Sequence, residues 1–132
     1  MMDKHSIFLY IIMALSILSF NCKSFGNSRD YITHAMNEQD PTFVFLQETW
    51  HISKTSSILS NASDNYLFKE ISGVDDSSRI LTGRPHGGLA IYFKRSIADK
   101  IHQVACSNNR LCAIRYQCDD SVPLLLINVY MP

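Results

Sequence analysis

Two apolar runs, ILSFN at 17–21 and TFVFLQ at 42–47, stand so close in the chain that only a short crossover fits between them. Ile32, Ala35 and Met36 fall at helical spacing in that interval, with Tyr31 alongside. Asn27 or Ser28 can cap a helix that starts near Arg29. Asp40-Pro41 stops it, because the residue before a proline is pushed out of the helical region. Strand, short helix and strand in about 35 residues make a βαβ unit, which requires the two strands to be parallel neighbours with a right-handed crossover. A strand buried on both faces reads as continuous apolar sequence, as these two do.

The first strand is read over 15–21. It continues an apolar run, IFLYIIMALSILSF at 7–20, that begins just after Lys4 and His5 and resembles the core of a secretory signal. The run is short for a membrane span, which needs about 20 residues. Residues 1–14 are therefore set apart as an apolar leader, and 15–132 are expected to form one folded unit. The expected location is intracellular, nucleus or cytoplasm; the alternative is secretion or anchoring through 7–20.

Beyond the βαβ unit the chain reads as a string of strands. Residues 53–64 are polar and Ser-rich, a short helix or loop. Tyr66 to Ile71 is a strand, Gly73 to Gly83 a turn-rich loop, and Gly87-Gly88 opens the strand LAIYFK. Residues 97–106 and 111–118 form a hairpin-like pair around Ser107-Asn108-Asn109-Arg110. LLLINVYMP is a final buried strand at 124–132. The fold class is thus α/β (α+β) with mixed sheets. At 132 residues there is room for one core and not clearly for two.

Charge adds one exclusion. Lys+Arg and Asp+Glu both total 12, so no overall basic field draws the chain to nucleic acid, and any such contact is local. The four cysteines form no CxxC pair and read as free, mostly buried thiols in a reducing compartment.

Three apolar strands end in a polar residue. Asn21 closes the first and Glu48 follows the second, both at the carboxyl ends of parallel strands, where open α/β sheets bind ligands. A carboxylate there can hold a hard cation through oxygen; a solvent-facing strand-end glutamate is the plainer alternative. Tyr130 ends the last strand with Asn128 two residues earlier on the same face. Its phenol can donate to a phosphoryl oxygen, or simply anchor the rim.

The blocks LSFN (18–21), FLQETW (45–50), GRPHGGLAIYF (83–93) and LLINVYMP (125–132) resemble, in order and rough spacing, the endonuclease/exonuclease/phosphatase superfamily. They are most similar to its LINE-type retrotransposon endonuclease branch. The resemblance implies a partial four-layered α/β sandwich and a Mg²⁺- or Mn²⁺-dependent phosphodiesterase site. It implies Glu48 as metal ligand, Asn21 and Tyr130 at the reacting phosphate, and Arg84 and Asn128 on the substrate. Gly87 and Gly88 would permit a tight backbone passage. DNA is the implied partner of a complete member, with no specific protein partner. The Gly-Asp-x-Asn and Ser-Asp-His blocks of family members have no counterpart here, and Lys23 stands where some relatives carry an acid. None of His5, His34, His51, His86 and His102 follows a Ser-Asp pair. The chain therefore reads as the N-terminal part of such a domain, its second half missing. It is expected to be inactive alone, with the apolar faces of 43–47, 89–93 and 124–130 partly bare and prone to aggregation. Two rivals keep the same fold: a non-catalytic remnant or binding fragment, and a phosphatase of phosphoinositides or lipids.

Overall fold

The computed structural model describes residues 15–74, 86–119 and 121–131. The leader at 1–14 and Arg84 lie outside them. Two strands bracket one helix at the start: β1 (Ile17–Asn21), α1 (Phe25–Gln39) and β2 (Phe43–Gln47), with β1 and β2 parallel and Asn21 opposite Gln47. A 3₁₀ helix (Ser53–Ala62) leads to β3 (Tyr66–Ile71), and β4 (Leu89–Lys94) runs antiparallel between β2 and β3. Sheet order is β1-β2-β4-β3. A second 3₁₀ helix (Arg95–Lys100) precedes a three-stranded antiparallel sheet of β5 (Ile101–Val104), β6 (Leu111–Tyr116) and β7 (Leu124–Val129).

α1 starts four residues earlier than its periodicity suggests. The Ser24 hydroxyl accepts the Asn27 N–H at 3.4 Å, making Ser24 the cap, while Ser28 donates instead to the Cys22 carbonyl at 2.7 Å. Phe25 is buried in the first turn, which rewards helix before any repeat is visible. The other end falls where Asp40-Pro41 requires: Asp40 turns left-handed at φ 47° and its N–H returns to the Met36 carbonyl. Strand β5 is likewise shorter than the hairpin reading, because the 3₁₀ turn takes residues 95–100 and tucks Ile97 and Ala98 against the core.

The side-chain alternation of the central strands divides the core. Val44 and Leu46 of β2, with Ala90 and Tyr92 of β4, face Phe25, Ile32, Met36 and Leu59. Phe43, Leu89, Ile91 and Phe93 face the other way, onto Ile101, Cys112, Ile114 and Tyr116 of the second sheet. Each fully buried side chain of this size contributes roughly 1.5–3 kcal/mol. This corrects one expectation. Strands 43–47 and 89–93 are covered on both faces, because β5–β7 of the same chain supply the facing sheet. Only the last strand meets it: Leu125, Ile127 and Val129 on the outer face of β7 remain 59%, 46% and 44% exposed. Ile127→Lys is therefore expected to lower concentration-dependent self-association while changing stability by less than about 0.5 kcal/mol. Sedimentation and urea unfolding of the two proteins measure both.

Among the described residues no helix is long and apolar enough to cross a membrane. All four cysteines are free; Cys22 and Cys112 are buried, Cys106 and Cys118 only partly so.

Candidate active site

Four of the six non-glycine residues with positive φ among the described residues lie where β1 and β2 leave their sheet: Lys23 (44°), Ser24 (95°), Glu48 (53°) and Trp50 (58°). The left-handed conformation costs a side-chain-bearing residue roughly 1–2 kcal/mol. Such strain persists only where the surroundings over-determine it, and it gathers at functional sites. Here the two exits brace each other: Ser24 N–H donates to the Glu48 carbonyl and Phe25 N–H to the Thr49 carbonyl, both at 2.9 Å. Gly88 and Gly87 brace the other side, their carbonyls accepting the N–H groups of Thr49 (3.2 Å) and Trp50 (2.9 Å). The backbone passage expected of the two glycines is this one.

Glu48 and Trp50 alternate with Thr49 and His51. The first pair is half-buried at the rim, whereas Thr49 and His51 are buried. Tyr130 donates its phenol proton to Oε1 of Glu48 at 2.5 Å, across 82 residues of sequence. That hydrogen bond, then burial and the Glu48 charge, raise the phenol's pKa; the Arg110 charge opposes the rise. A raised pKa keeps the phenol protonated, and a donor, through neutral pH. The Cys22 thiol beside β1 is pushed up to about 12 by burial and then by the Glu48 charge, so it stays a thiol.

Asn21 lies at the same rim, its Oδ1 accepting the Lys23 N–H at 3.3 Å. It lines a cavity of about 400 Å³ together with Ser19, Gln47, Asn128 and Tyr130. Asn128 is buried, and its amide is largely spent within the protein. Nδ2 donates to the carbonyls of Leu46 (2.9 Å) and Ala90 (3.0 Å), and Oδ1 accepts from Gln47 Nε2 (2.8 Å). A substrate contact is left with one acceptor position on Oδ1. A wider hollow of about 930 Å³, bordered by Arg29, Thr33 and Arg95, opens at the opposite end of the first sheet. Asp64 is its one carboxylate, and it lies away from the strained exits of β1 and β2. Lys94 is at that far end too, paired with Asp40 at 2.9 Å.

Sequence reasoning missed a buried chain of polar side chains behind the rim. Thr49 Oγ1 meets His51 Nδ1 and His51 Nε2 meets Glu70 Oε2, each at 2.5 Å. The only trace in the sequence is that Thr49 and His51 are two apart and so share a face.

A hard cation fits the rim in part. Glu48 offers a carboxylate whose Oε2 takes no hydrogen bond among the described residues, and the Asn21 amide oxygen is nearby on the same rim. No group of three or more His, Cys, Asp or Glu side chains that could hold a metal converges among the described residues.

The sequence matches the model of the endonuclease/exonuclease/phosphatase family over residues 18–130. The chain belongs to that family. Solved structures with the same fold include an AP endonuclease from Leishmania major, 16% identical, with a TM-score of 0.65 over 88% of this chain and 40% of that one. An AP endonuclease from Archaeoglobus fulgidus is 21% identical, with a TM-score of 0.61 over 89% of this chain and 41% of that one. The endonuclease domain of TRAS1, a telomere-specific non-LTR retrotransposon, is 8% identical, with a TM-score of 0.60 over 89% of this chain and 46% of that one. The chain thus spans less than half the length of each. No curated protein sequence matches it significantly.

Proposed function

We propose that the chain carries one part of a divalent-metal-dependent phosphodiesterase site acting on DNA, of the kind found in LINE-type retrotransposon endonucleases. It corresponds, in this reading, to the N-terminal part of a longer catalytic domain and does not turn over alone. The observation that carries the reading is the Tyr130–Glu48 hydrogen bond at the carboxyl rim of two parallel strands, held on a strained backbone. The family is one of nucleases and phosphatases, and one neighbour, a Neisseria 3′ phosphatase, is described bound to a product DNA hairpin.

In this mechanism Glu48 would hold Mg²⁺ or Mn²⁺ through its carboxylate, and Asn21 would supply its amide oxygen at the same rim. When bound, such a cation lowers the pKa of a coordinated water and neutralises charge on a phosphoryl oxygen. Tyr130 orients the Glu48 carboxylate through its single phenol proton, and would turn that proton from Glu48 to a phosphoryl oxygen when a phosphodiester is presented at the rim. Asn21 and Arg84 position the phosphodiester, and Asn128 holds Tyr130 at its height. The Ser-Asp-His block that the resemblance assigns to the base has no counterpart in this sequence, and turnover is therefore assigned to a longer assembly.

The test pairs DNA binding with cleavage. The 132-residue chain is expected to retain a duplex oligonucleotide in Mg²⁺ and release it in EDTA, with Glu48→Ala losing at least tenfold in Mg²⁺-dependent affinity. Nicking of supercoiled plasmid is expected to be no faster than the Glu48→Ala control. Absence of Mg²⁺-dependent DNA binding overturns the nucleic-acid reading. Nicking that needs both Mg²⁺ and Glu48 overturns the assignment of the base to another part.

A further inference from the structure

We propose that Glu70, acting through His51 and Thr49, is a positioning residue for the Glu48 carboxylate. The inference deepens the phosphodiesterase reading and rests on it only where the cation enters.

His51 is 1% exposed and Thr49 2%, so neither meets a substrate. Yet both ring nitrogens of His51 are engaged, one by Thr49 in the same loop and the other by Glu70 on β3. Nε2 meets the Glu70 carboxylate and Nδ1 the Thr49 hydroxyl, so the ring joins the two side chains. The chain of contacts has one exposed end: Glu70 is 28% exposed on its side chain and sits on β3. At the buried end the Thr49 hydroxyl lies against Gly88, close enough that a Cβ on Gly88 would run into Oγ1. The relay therefore presses the β2 exit onto the Gly87-Gly88 backbone, which already accepts the N–H groups on either side of the Thr49–Trp50 peptide. Glu48 is the preceding residue, and its φ of 53° is set by the same clamp. A buried ring needs a partner at each nitrogen, and here the two partners are a carboxylate on β3 and the hydroxyl of the residue next to Glu48, so satisfying His51 also fixes the backbone that carries Glu48. Misplacement by about 1 Å at a reacting centre costs of the order of a hundredfold.

The experiment compares wild type, Glu70→Ala, Glu70→Gln and Thr49→Val in the full chain, each checked by circular dichroism. Amide hydrogen exchange by NMR is read at Thr49 and Trp50, with Ile91 in β4 as the internal reference. Mn²⁺ affinity is read by the electron paramagnetic resonance signal of the free ion, with Glu48→Gln as control. In Glu70→Ala the Thr49 and Trp50 amides are expected to exchange at least tenfold faster while Ile91 is unchanged, and Mn²⁺ affinity to fall about tenfold. Glu70→Gln, which keeps an oxygen for Nε2–H, restores both. If Glu70→Ala does not fold, Thr49→Val, which removes the hydroxyl at constant shape, gives the same pair of changes from the other end. Unchanged exchange at Thr49 and Trp50 in a folded variant overturns the relay. Faster exchange with undiminished Mn²⁺ affinity overturns its role in aiming Glu48. Equal Mn²⁺ binding by wild type and Glu48→Gln overturns the metal reading instead, and leaves the relay to stand on the exchange data.

Discussion

Gly88→Ala is expected to destabilise the chain by about 2–5 kcal/mol, and the neighbouring Gly87→Ala by only about 1–2 kcal/mol. The two glycines share a motif and differ in what surrounds them. Gly87 has φ 65°, inside the left-handed basin, and among the described residues a Cβ there would meet only the Gly73 Cα at an ordinary 3.4 Å. Its cost is the left-handed penalty alone. Gly88 has φ 90°, and its Cβ would collide with Thr49 Oγ1 and press on His51 Nδ1 at 3.1 Å and Trp50 N at 3.3 Å. None of these can retreat: the nitrogen is backbone, and both side chains are locked in the relay. Overpacking of this kind adds roughly 1–3 kcal/mol. Set against a typical total of about 5–15 kcal/mol, the loss should bring the variant near its unfolding threshold. Urea unfolding of both variants decides the matter. Equal effects would mean that the β2 exit does not pack on Gly88 as described.

How much of this was legible in the sequence depends on the range over which each signal acts. The parallel pair β1 and β2 was legible, because two apolar runs and one short amphipathic interval admit few other arrangements. β3 and β4 were legible for the same local reason. The start of α1 was not: Phe25 is rewarded by burial against the sheet, and Ser24 caps only because its backbone is held by the Glu48 and Thr49 loops. The cover over 43–47 and 89–93 was misjudged, because it depends on β5–β7 folding back onto the first sheet, a tertiary contact that no local pattern announces. Asn21, Glu48 and Tyr130 were each visible as polar ends of apolar strands. The bond from Tyr130 to Glu48 was not, and neither was the engagement of the Asn128 amide by main-chain carbonyls. The Glu70–His51–Thr49 chain joins residues that carry no motif between them; only the fold places β3 beside the β2 exit.

The second large effect is expected at Asn128, and its sign with pH identifies what the side chain does. Asn128 is 1% exposed, and its NH₂ group points at two carbonyl oxygens on the facing sheet. Asn128→Leu removes both donors and the acceptor used by Gln47, at a cost of about 2–4 kcal/mol that is nearly independent of pH. Asn128→Asp keeps the shape and replaces the donor with a second oxygen. At pH 8 an ionised carboxyl there faces two carbonyls without a proton, in a buried site, so the loss should exceed that of the leucine variant. Protonation restores one donor. Burial and the carbonyls both disfavour the anion, so the folded-state pKa of that carboxyl lies above its unfolded value of about 3.9. The protonated form is thus the stabilised one: its contribution is full below the unfolded pKa and disappears as pH rises through the folded pKa. The Asn128→Asp chain should therefore gain stability relative to wild type as pH falls from 8 toward 5, while Asn128→Leu keeps a constant difference. Urea unfolding at both pH values separates the two. An Asn128→Asp chain as stable as wild type at pH 8 would mean that the amide is turned the other way. If the donors are where the structure puts them, the same amide ties β7 to β2 and β4 two residues before Tyr130. The height of the phenol above Glu48 is then set by the core, and not by the rim it serves.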